Sequence, residues 1–218
     1  MSSTALLEPV ESPASRTLFL RRFLKHGKRV ASIAPSSSTL ARKTCQHVSP
    51  DVPQVILELG AGTGAITRVA CQTMHPDSRL IAVEIDPHFA DVLERTCPRA
   101  HVIRCDVRDI DRHLDDLDVR SIDVLLNGLP TPSLPRSVNQ IVLDTFANRS
   151  RDAWFSQITV MPWVYQPLYE RLFEKVTFQL VARNLPPGGV YHCRKLKPDY
   201  ALNIPGTNKA HGLPAVGS

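Results

Sequence analysis

An α/β fold of the doubly wound, Rossmann-like kind is predicted by two observations. The first is Val55-Ile56-Leu57-Glu58-Leu59, an apolar run that stops at Gly60-Ala61-Gly62-Thr63-Gly64 and leads into a helix-compatible segment, Ala65 to Gln72. A strand, a glycine-rich turn and a helix in that order open a nucleotide-binding domain. Glycine suits the turn because the backbone must bend sharply and come close to a ligand. The second is that the next two apolar runs also end at acids, Glu84 and Asp106. In an open α/β sheet the ligand lies outside the carboxyl ends of the strands, where all three acids would stand.

The strand from Arg79 to Asp86 precedes Pro87, a residue suited to the first helical position. A third strand, His101 to Arg104, ends at Cys105-Asp106. The charged stretch Asp109 to Arg120 reads as a solvated helix or loop. A fourth strand, Ser121 to Leu126, runs into Asn127-Gly128-Leu129-Pro130, and a helix is expected from Arg136 to Phe146. Ala153 to Val160 forms the fifth strand, followed by Met161-Pro162-Trp163-Val164-Tyr165 and a helix from Leu168 to Glu174. Two late strands, Val176 to Arg183 and Val190 to Leu196, flank Asn184-Leu185-Pro186-Pro187. The organisation expected is a mobile start (1–15), helices covering the cofactor and binding membrane (16–50), one catalytic domain (51–198) and a flexible tail (199–218).

The chain has 218 residues, 43% of them hydrophobic, enough for one domain with a full core. It has no apolar run of transmembrane length, and its start lacks the pattern of a signal peptide, so a cytoplasmic protein is expected. Five scattered cysteines without a C-x-x-C pair suggest neither disulfides nor a metal site. The net charge is +5, and the segment from Ser12 to Pro50 carries many Arg and Lys residues but no acid. Such a block implies an anionic partner, nucleic acid or a membrane surface. Within it, Phe19, Leu20, Phe23 and Leu24 fall on one arc of a helix, and Arg21, Arg22 and Lys25 on the other. That pattern fits an interfacial membrane helix, or a helix packed on the domain with a solvated basic face. After the loop Val30 to Ser38, a helix is expected from Thr39 to Val48, capped by one of the serines. Ser36 and Ser37 are also placed to reach a cofactor carboxylate.

The turn spacing is G-x-G-x-G, and no lysine follows to meet a phosphate. Glu58 stands before the glycines instead, and a carboxylate there suits a cationic ligand. S-adenosylmethionine carries a sulfonium and an ammonium and fits that demand. Gly60, Gly62 and Gly64 would line it. Glu84, with Ile85 beside it, stands where an acid accepts from ribose hydroxyls. Asp106 would accept from the adenine amine, and the backbone of Val107 would meet a ring nitrogen. Asn127 ends the strand beside the methyl donor.

The string Glu58-Leu59-Gly60-Ala61-Gly62-Thr63-Gly64 resembles the first motif of class I methyltransferases, whose sheet is seven-stranded, mostly parallel, with an antiparallel last strand. The basic segment, Ser32-Ile33-Ala34-Pro35-Ser36-Ser37, Gly128-Leu129-Pro130 and Asn184-Leu185-Pro186-Pro187 together resemble the peripheral phospholipid and aminolipid N-methyltransferases of bacteria. The resemblance covers about residues 20 to 196. It implies methyl transfer from S-adenosylmethionine to a lipid amine, phosphatidylethanolamine or an ornithine lipid, on the inner face of the cytoplasmic membrane. It also implies docking on anionic lipids through Phe19 to Lys25, with no obligate protein partner. In Gln157-Ile158-Thr159-Val160 a valine stands where the family tends to have an aromatic residue, which makes ornithine lipid a competitor to phosphatidylethanolamine.

Adenine N6-methyltransferases of RNA or DNA are the first alternative, but they place an aromatic residue after Asn-Pro-Pro, and Asn127-Gly128-Leu129-Pro130-Thr131 has none. A cofactor-binding protein without turnover is the second. A lipid amine is protonated at neutral pH and must lose a proton before attack. Tyr165, Tyr191 and His192 are candidate acceptors, and Asn127 could orient the nitrogen. Trp163 and Tyr165 could face a methylated ammonium, beside Leu129, and Arg183 could hold a head-group anion.

Overall fold

The computed structural model describes residues 35–149, 152–159, 165–182 and 187–206. The described residues begin with helix α1 (Pro35–Thr44). Then β1 (Val55–Leu59), α2 (Ala65–Thr73), β2 (Arg79–Glu84), α3 (Pro87–Thr96), β3 (Ala100–Arg104), α4 (Ile110–Asp116) and β4 (Val124–Asn127) alternate. The second half adds α5 (Arg136–Arg149), β5 (Trp154–Thr159), α6 (Gln166–Leu172), β6 (Phe173–Val181) and β7 (Gly188–Leu196).

The strands make one seven-stranded sheet in the order β3-β2-β1-β4-β5-β7-β6. Strands β1 to β5 are parallel, and β7 runs antiparallel between β5 and β6. The strand order reverses between β1 and β4, which lie side by side with Leu59 opposite Asn127. A crevice opens at such a switch point, outside the carboxyl ends of the strands. The predicted fold is therefore the observed one, with the late antiparallel pair at one edge.

Both faces of the sheet are covered. On one, Leu57, Leu59, Leu125, Phe146, Phe155, Phe173 and Tyr191 join a single core. On the other, Ile56, Val124 and Leu126 pack with Ala41 and Cys45 of α1 and Ile66 and Ala70 of α2. Alternation along each strand allots its side chains to these two faces. The strands read as nearly unbroken apolar runs because both faces are dry.

Local chemistry sets several boundaries. Asp86 caps α3 by accepting from the amides of His88 (2.9 Å) and Phe89 (3.4 Å), and Pro87 opens the helix. Helix α1 begins at Pro35, four residues ahead of the predicted start at Thr39. Proline at the first helical position is pre-set for the turn, so the serines enter the helix instead of forming a loop. The predicted amphipathic helix at 17–29 lies outside the described residues, as do all of Phe19 to Lys25. The chain beyond Asp199 does not leave the body at once. Ile204 is buried in the core. Arg136 donates to the carbonyls of Ala201 and Ile204 (both 3.1 Å), and Asn139 donates to that of Pro205 (3.0 Å). Polar side chains of α5 satisfy this backbone, which composition alone had marked as tail.

Beneath α1, His192 of β7 is 1% exposed. Its Nδ1 lies 3.0 Å from the Ser156 hydroxyl, and its ring meets His47 edge-on at 4.8 Å. His47 stacks on Trp154 at 3.5 Å. Burial pushes both rings down to about 4, His47 further opposed by Arg194, and His192 by His47 and Lys43. The unfolded chain protonates these rings near 6.5, before the folded one does. Stability is thus complete above pH 6.5 and falls as pH drops toward 4, by at most about 1.4 kcal/mol per pH unit for the proton on buried His192 and by less for half-exposed His47, which solvent screens. Urea unfolding of wild type and His192→Gln between pH 7 and 4.5 checks this. The variant should lose less stability over that interval.

Candidate functional site

The turn after β1 is built from left-handed backbone, with φ of 71° at Gly60, 55° at Gly62 and 79° at Gly64. A side chain added at Gly62 would meet nothing within 4 Å among the described residues, so this part of the turn is open toward them. The turn is pinned to its neighbours by the amides of Gly60 and Ala61, which donate to the Val83 carbonyl (3.0 and 3.1 Å). Gly128, after β4, is required for a different reason. A Cβ there would stand 2.7 Å from the Gly60 oxygen and 3.1 Å from that of Leu59. Its amide donates to Leu59 at 2.8 Å. The turns that follow β1 and β4 thus touch backbone to backbone.

Glu84 closes the next strand. One carboxylate oxygen accepts from the Gly62 amide (2.7 Å) and the other from Asp86 (2.8 Å). Burial raises its pKa, while the amides of Asp86, Gly62 and Ile85 oppose the rise. Glu58 is fully buried on the α1–α2 face. Burial lifts it to about 8, with Thr67 and Arg68 pulling down and Glu84 pushing up. Neither of its oxygens has a well-formed hydrogen bond among the described residues. A buried carboxyl held only by a loose contact with Thr67 costs free energy that a cationic ligand would recover.

Asp106 begins the short 3-10 turn Val107–Asp109. It is engaged by Arg108, whose amide and Nε each lie 3.0 Å from Oδ1 and whose guanidinium lies 2.6 Å from Oδ2. Val107 is half-buried against the core. The left-handed turn, its open side at Gly62, the orphaned Glu58 and the strand-end acids Glu84 and Asp106 fit a cationic nucleoside such as S-adenosylmethionine.

At the ends of β4 and β5 a buried polar network replaces the free amide expected of Asn127. Its Nδ2 donates to Gln157 (2.7 Å) and Thr131 (3.0 Å), and its Oδ1 accepts from the Leu129 amide (3.2 Å). Thr131 donates to Gln157 at 2.8 Å. Gln157 Nε2 faces three carbonyls, Leu129 (2.9 Å), Ile158 (2.9 Å) and Asn127 (3.3 Å). Asn127 is fully buried, and its amide shapes the turn through Leu129 to Thr131. Tyr169 of α6 is buried close by, and burial holds its hydroxyl well above the usual range, with Thr131 opposing.

His192 requires a correction. It pairs with Ser156, while its neighbour Tyr191 pairs with Gln157, so His192 lies on the opposite face of the sheet from the Asn127 network. A buried ring on that face is not placed as a proton acceptor for a substrate in the crevice. Tyr191 is on the network's face; burial raises its pKa, and the backbone of Tyr165 and Gln166 at the start of α6 opposes the rise. Tyr165 is half-buried against the same core as Leu129. Ser36 and Ser37 lie in the first turn of α1. Trp163 and Arg183 lie outside the described residues.

Residue-type reasoning passed over Gln157, Thr131 and Tyr169 as members of one constellation. The available signal was a glutamine inside the mostly apolar strand Trp154-Phe155-Ser156-Gln157-Ile158, since a buried amide needs partners for every polar atom.

No model of a known protein family matches the chain. The ornithine lipid N-methyltransferase of Singulisphaera acidiphila is 43% identical over 187 residues, covering 84% of this chain and 97% of that protein. An rRNA methyltransferase of Streptomyces thermotolerans is 45% identical over 72 residues, only 30% of this chain and 23% of that protein. Among solved structures, the O-methyltransferase of Bacillus cereus, in complex with SAH, is similar with a TM-score of 0.56 at 13% identity, covering 87% of this chain and 94% of that one. The didemethyltoxoflavin N1-methyltransferase of Burkholderia thailandensis reaches 0.55 at 18% identity, over 88% and 94%. At such identities the structures speak for the fold alone, a class I methyltransferase sheet. The near full-length likeness in sequence is the closer tie, and by it the chain belongs to the family of the ornithine lipid N-methyltransferase, among the S-adenosylmethionine-dependent methyltransferases.

Proposed function

We propose that this protein methylates the amino head group of a bacterial membrane lipid of the ornithine-lipid type. The observation that carries the reading is the 43% identity over 187 residues, nearly the whole of both chains. Phosphatidylethanolamine is the related head group that the same chemistry would accept.

S-adenosylmethionine, when bound, supplies a methyl group on a sulfonium centre. The residues that would hold it are Glu58, the turn Gly60 to Gly64, Glu84 with Ile85, and Asp106 with Val107. Ser36 and Ser37 would approach it from α1. Glu58 would face its ammonium, and Glu84 its ribose. The chain's contribution to the reaction is alignment and exclusion of bulk water, since charge disperses on the way to the transition state. The amine must lose a proton before it attacks, and Tyr165 is the candidate acceptor retained beside Leu129. Leu129 and Tyr165 border the acceptor side of the crevice, and Trp163 and Arg183 are assigned there from the sequence.

Among the described residues no helix is long and apolar enough to cross a membrane. The segment 16–34 is the part that would bring the enzyme to the bilayer. Phe19, Leu20, Phe23 and Leu24 would enter the interface, while Arg21, Arg22 and Lys25 meet anionic lipid on the inner face of the cytoplasmic membrane. The layout proposed is this membrane-binding region followed by one catalytic domain.

Three outcomes test the reading. Purified protein given labelled S-adenosylmethionine should label a lipid amine in vesicles containing ornithine lipid and leave ribosomal RNA unlabelled; label in RNA alone would overturn it. Phe19→Ser with Phe23→Ser should abolish sedimentation with anionic vesicles and leave cofactor affinity intact. Glu84→Ala should weaken SAH binding by about 1–3 kcal/mol in calorimetry, the cost of unmet hydrogen bonds.

A further inference from the structure

The polar network beside the crevice continues across the sheet as a row of paired residues. Asn127 of β4 stands opposite Gln157 of β5, Gln157 opposite Tyr191 of β7, and Tyr191 opposite Phe178 of β6. Residues opposite one another share a face, so this row passes from polar to aromatic as it nears the edge strand. The Phe178 ring lies 4.7 Å from that of Tyr191, which lies 4.8 Å from that of Tyr169. Two residues along each strand, Thr159, Gly189 and Leu180 form the next row on the same face. Strand β6 runs in the direction of β5, since both are antiparallel to β7, so this second row lies at the crevice end of the sheet. A Cβ at Gly189 would run into the Phe178 ring, so the ring covers the place of the missing side chain. Leu180 stands beside it, 48% exposed. Val52 and Leu202, the other large apolar side chains exposed among the described residues, lie on no strand. Gly189, Phe178 and Leu180 thus make an apolar ledge that leads from the crevice to the edge of the sheet.

We propose that this ledge seats the acyl chain of the lipid whose amine enters the crevice. The inference rests on the reading of the protein as an aminolipid methyltransferase and adds where the apolar part of the substrate lies. The dimensions agree. Neighbouring strands stand about 4.8 Å apart, so β7 and β6 lie about 5 and 10 Å from β5. In an ornithine acylated on its α-nitrogen, six bonds of about 1.5 Å separate the side-chain amine from the acyl carbonyl, a reach of about 7 Å when extended. An amine held at the ends of β4 and β5 therefore brings the start of its chain over β7, and the following CH2 groups reach Phe178 and Leu180. Covering the ledge takes apolar surface out of water on both partners. A free amino acid offers the amine without the chain, lacks this second contact and is bound weakly.

The test is equilibrium binding to the full-length protein saturated with SAH. The probes are ornithines acylated on the α-nitrogen, with chains of increasing length from butyryl to decanoyl, each below its micelle-forming concentration. Full burial of one CH2 is worth about fourfold in affinity. A chain on an open ledge keeps one side in water, so wild type should gain about twofold per CH2. Leu180→Ser should cut that gain below about 1.5-fold per CH2 and leave the affinity for the butyryl probe, for SAH and the thermal stability within the range of wild type, because the side chain is exposed. Leu180→Phe should restore the gain. A wild type that methylates lipid but binds all chain lengths alike overturns the proposal, as does a chain-length dependence unchanged in Leu180→Ser. Loss of vesicle sedimentation in Leu180→Ser with the chain-length gain intact also overturns it, since the ledge would then meet the bilayer and not the substrate's own chain. A wild type that methylates no lipid amine overturns the functional reading instead.

Discussion

The architecture of the site depends on one close approach, backbone against backbone, where the turn after β1 meets the turn after β4. The Gly128 amide donates to the Leu59 carbonyl at 2.8 Å, and no side chain fits between Gly128 and the Gly60 oxygen. This contact sits at the point where strand order reverses, so it defines the floor of the crevice. It also couples the two halves of the chemistry. In the function proposed, the β1 turn would shape the nucleoside side and the β4 turn the acceptor side. Moving either by the width of a methyl group would move both, and transfer reactions are sensitive to such displacements.

The two faces of the sheet then do different things. One holds the Asn127, Thr131 and Gln157 network, with Tyr169 and Tyr191 behind it. These groups satisfy one another, which fixes the acceptor turn and commits Asn127 to structure. The other face holds α1, the Glu58 carboxyl and the His47, Trp154 and His192 cluster. There, burial dominates the electrostatics. It keeps both imidazoles neutral and raises Glu58 to about 8. A sheet only one residue thick thus separates a polar network from a dry packing layer, and adjacent residues in β7, Tyr191 and His192, end up in unlike surroundings.

Glu58 and Glu84 lie on the same face of the sheet, since Glu58 pairs with Ala82, two residues before Glu84. Glu84 is tied to the Gly62 amide, so the strand-end acid also holds the glycine turn in its open, left-handed form. Glu58 has no comparable donor among the described residues. Two acids with raised pKa values close to one turn make a place where negative charge is costly until a cation arrives. That is the electrostatic counterpart of an S-adenosylmethionine site in a family that uses it.

Much of this was legible from residues alone. The β1 run, its glycine turn and the acids at successive strand ends specify the fold and the cofactor, because periodicity, backbone freedom and charge are local properties. Pro87 and Asp86 likewise announce the start of α3. What only the tertiary structure decided is which polar side chains find one another. Asn127 and Gln157 are 30 residues apart and meet because β4 and β5 pair in register. His192 looked like a free base in sequence, but pairing with Ser156 turned its ring under α1. Ile204 and Pro205 read as tail and became part of the body because α5 offered Arg136 and Asn139 to their carbonyls. Each depends on strand register or on contacts between distant segments, and neither composition nor spacing encodes which partner a buried polar group will have.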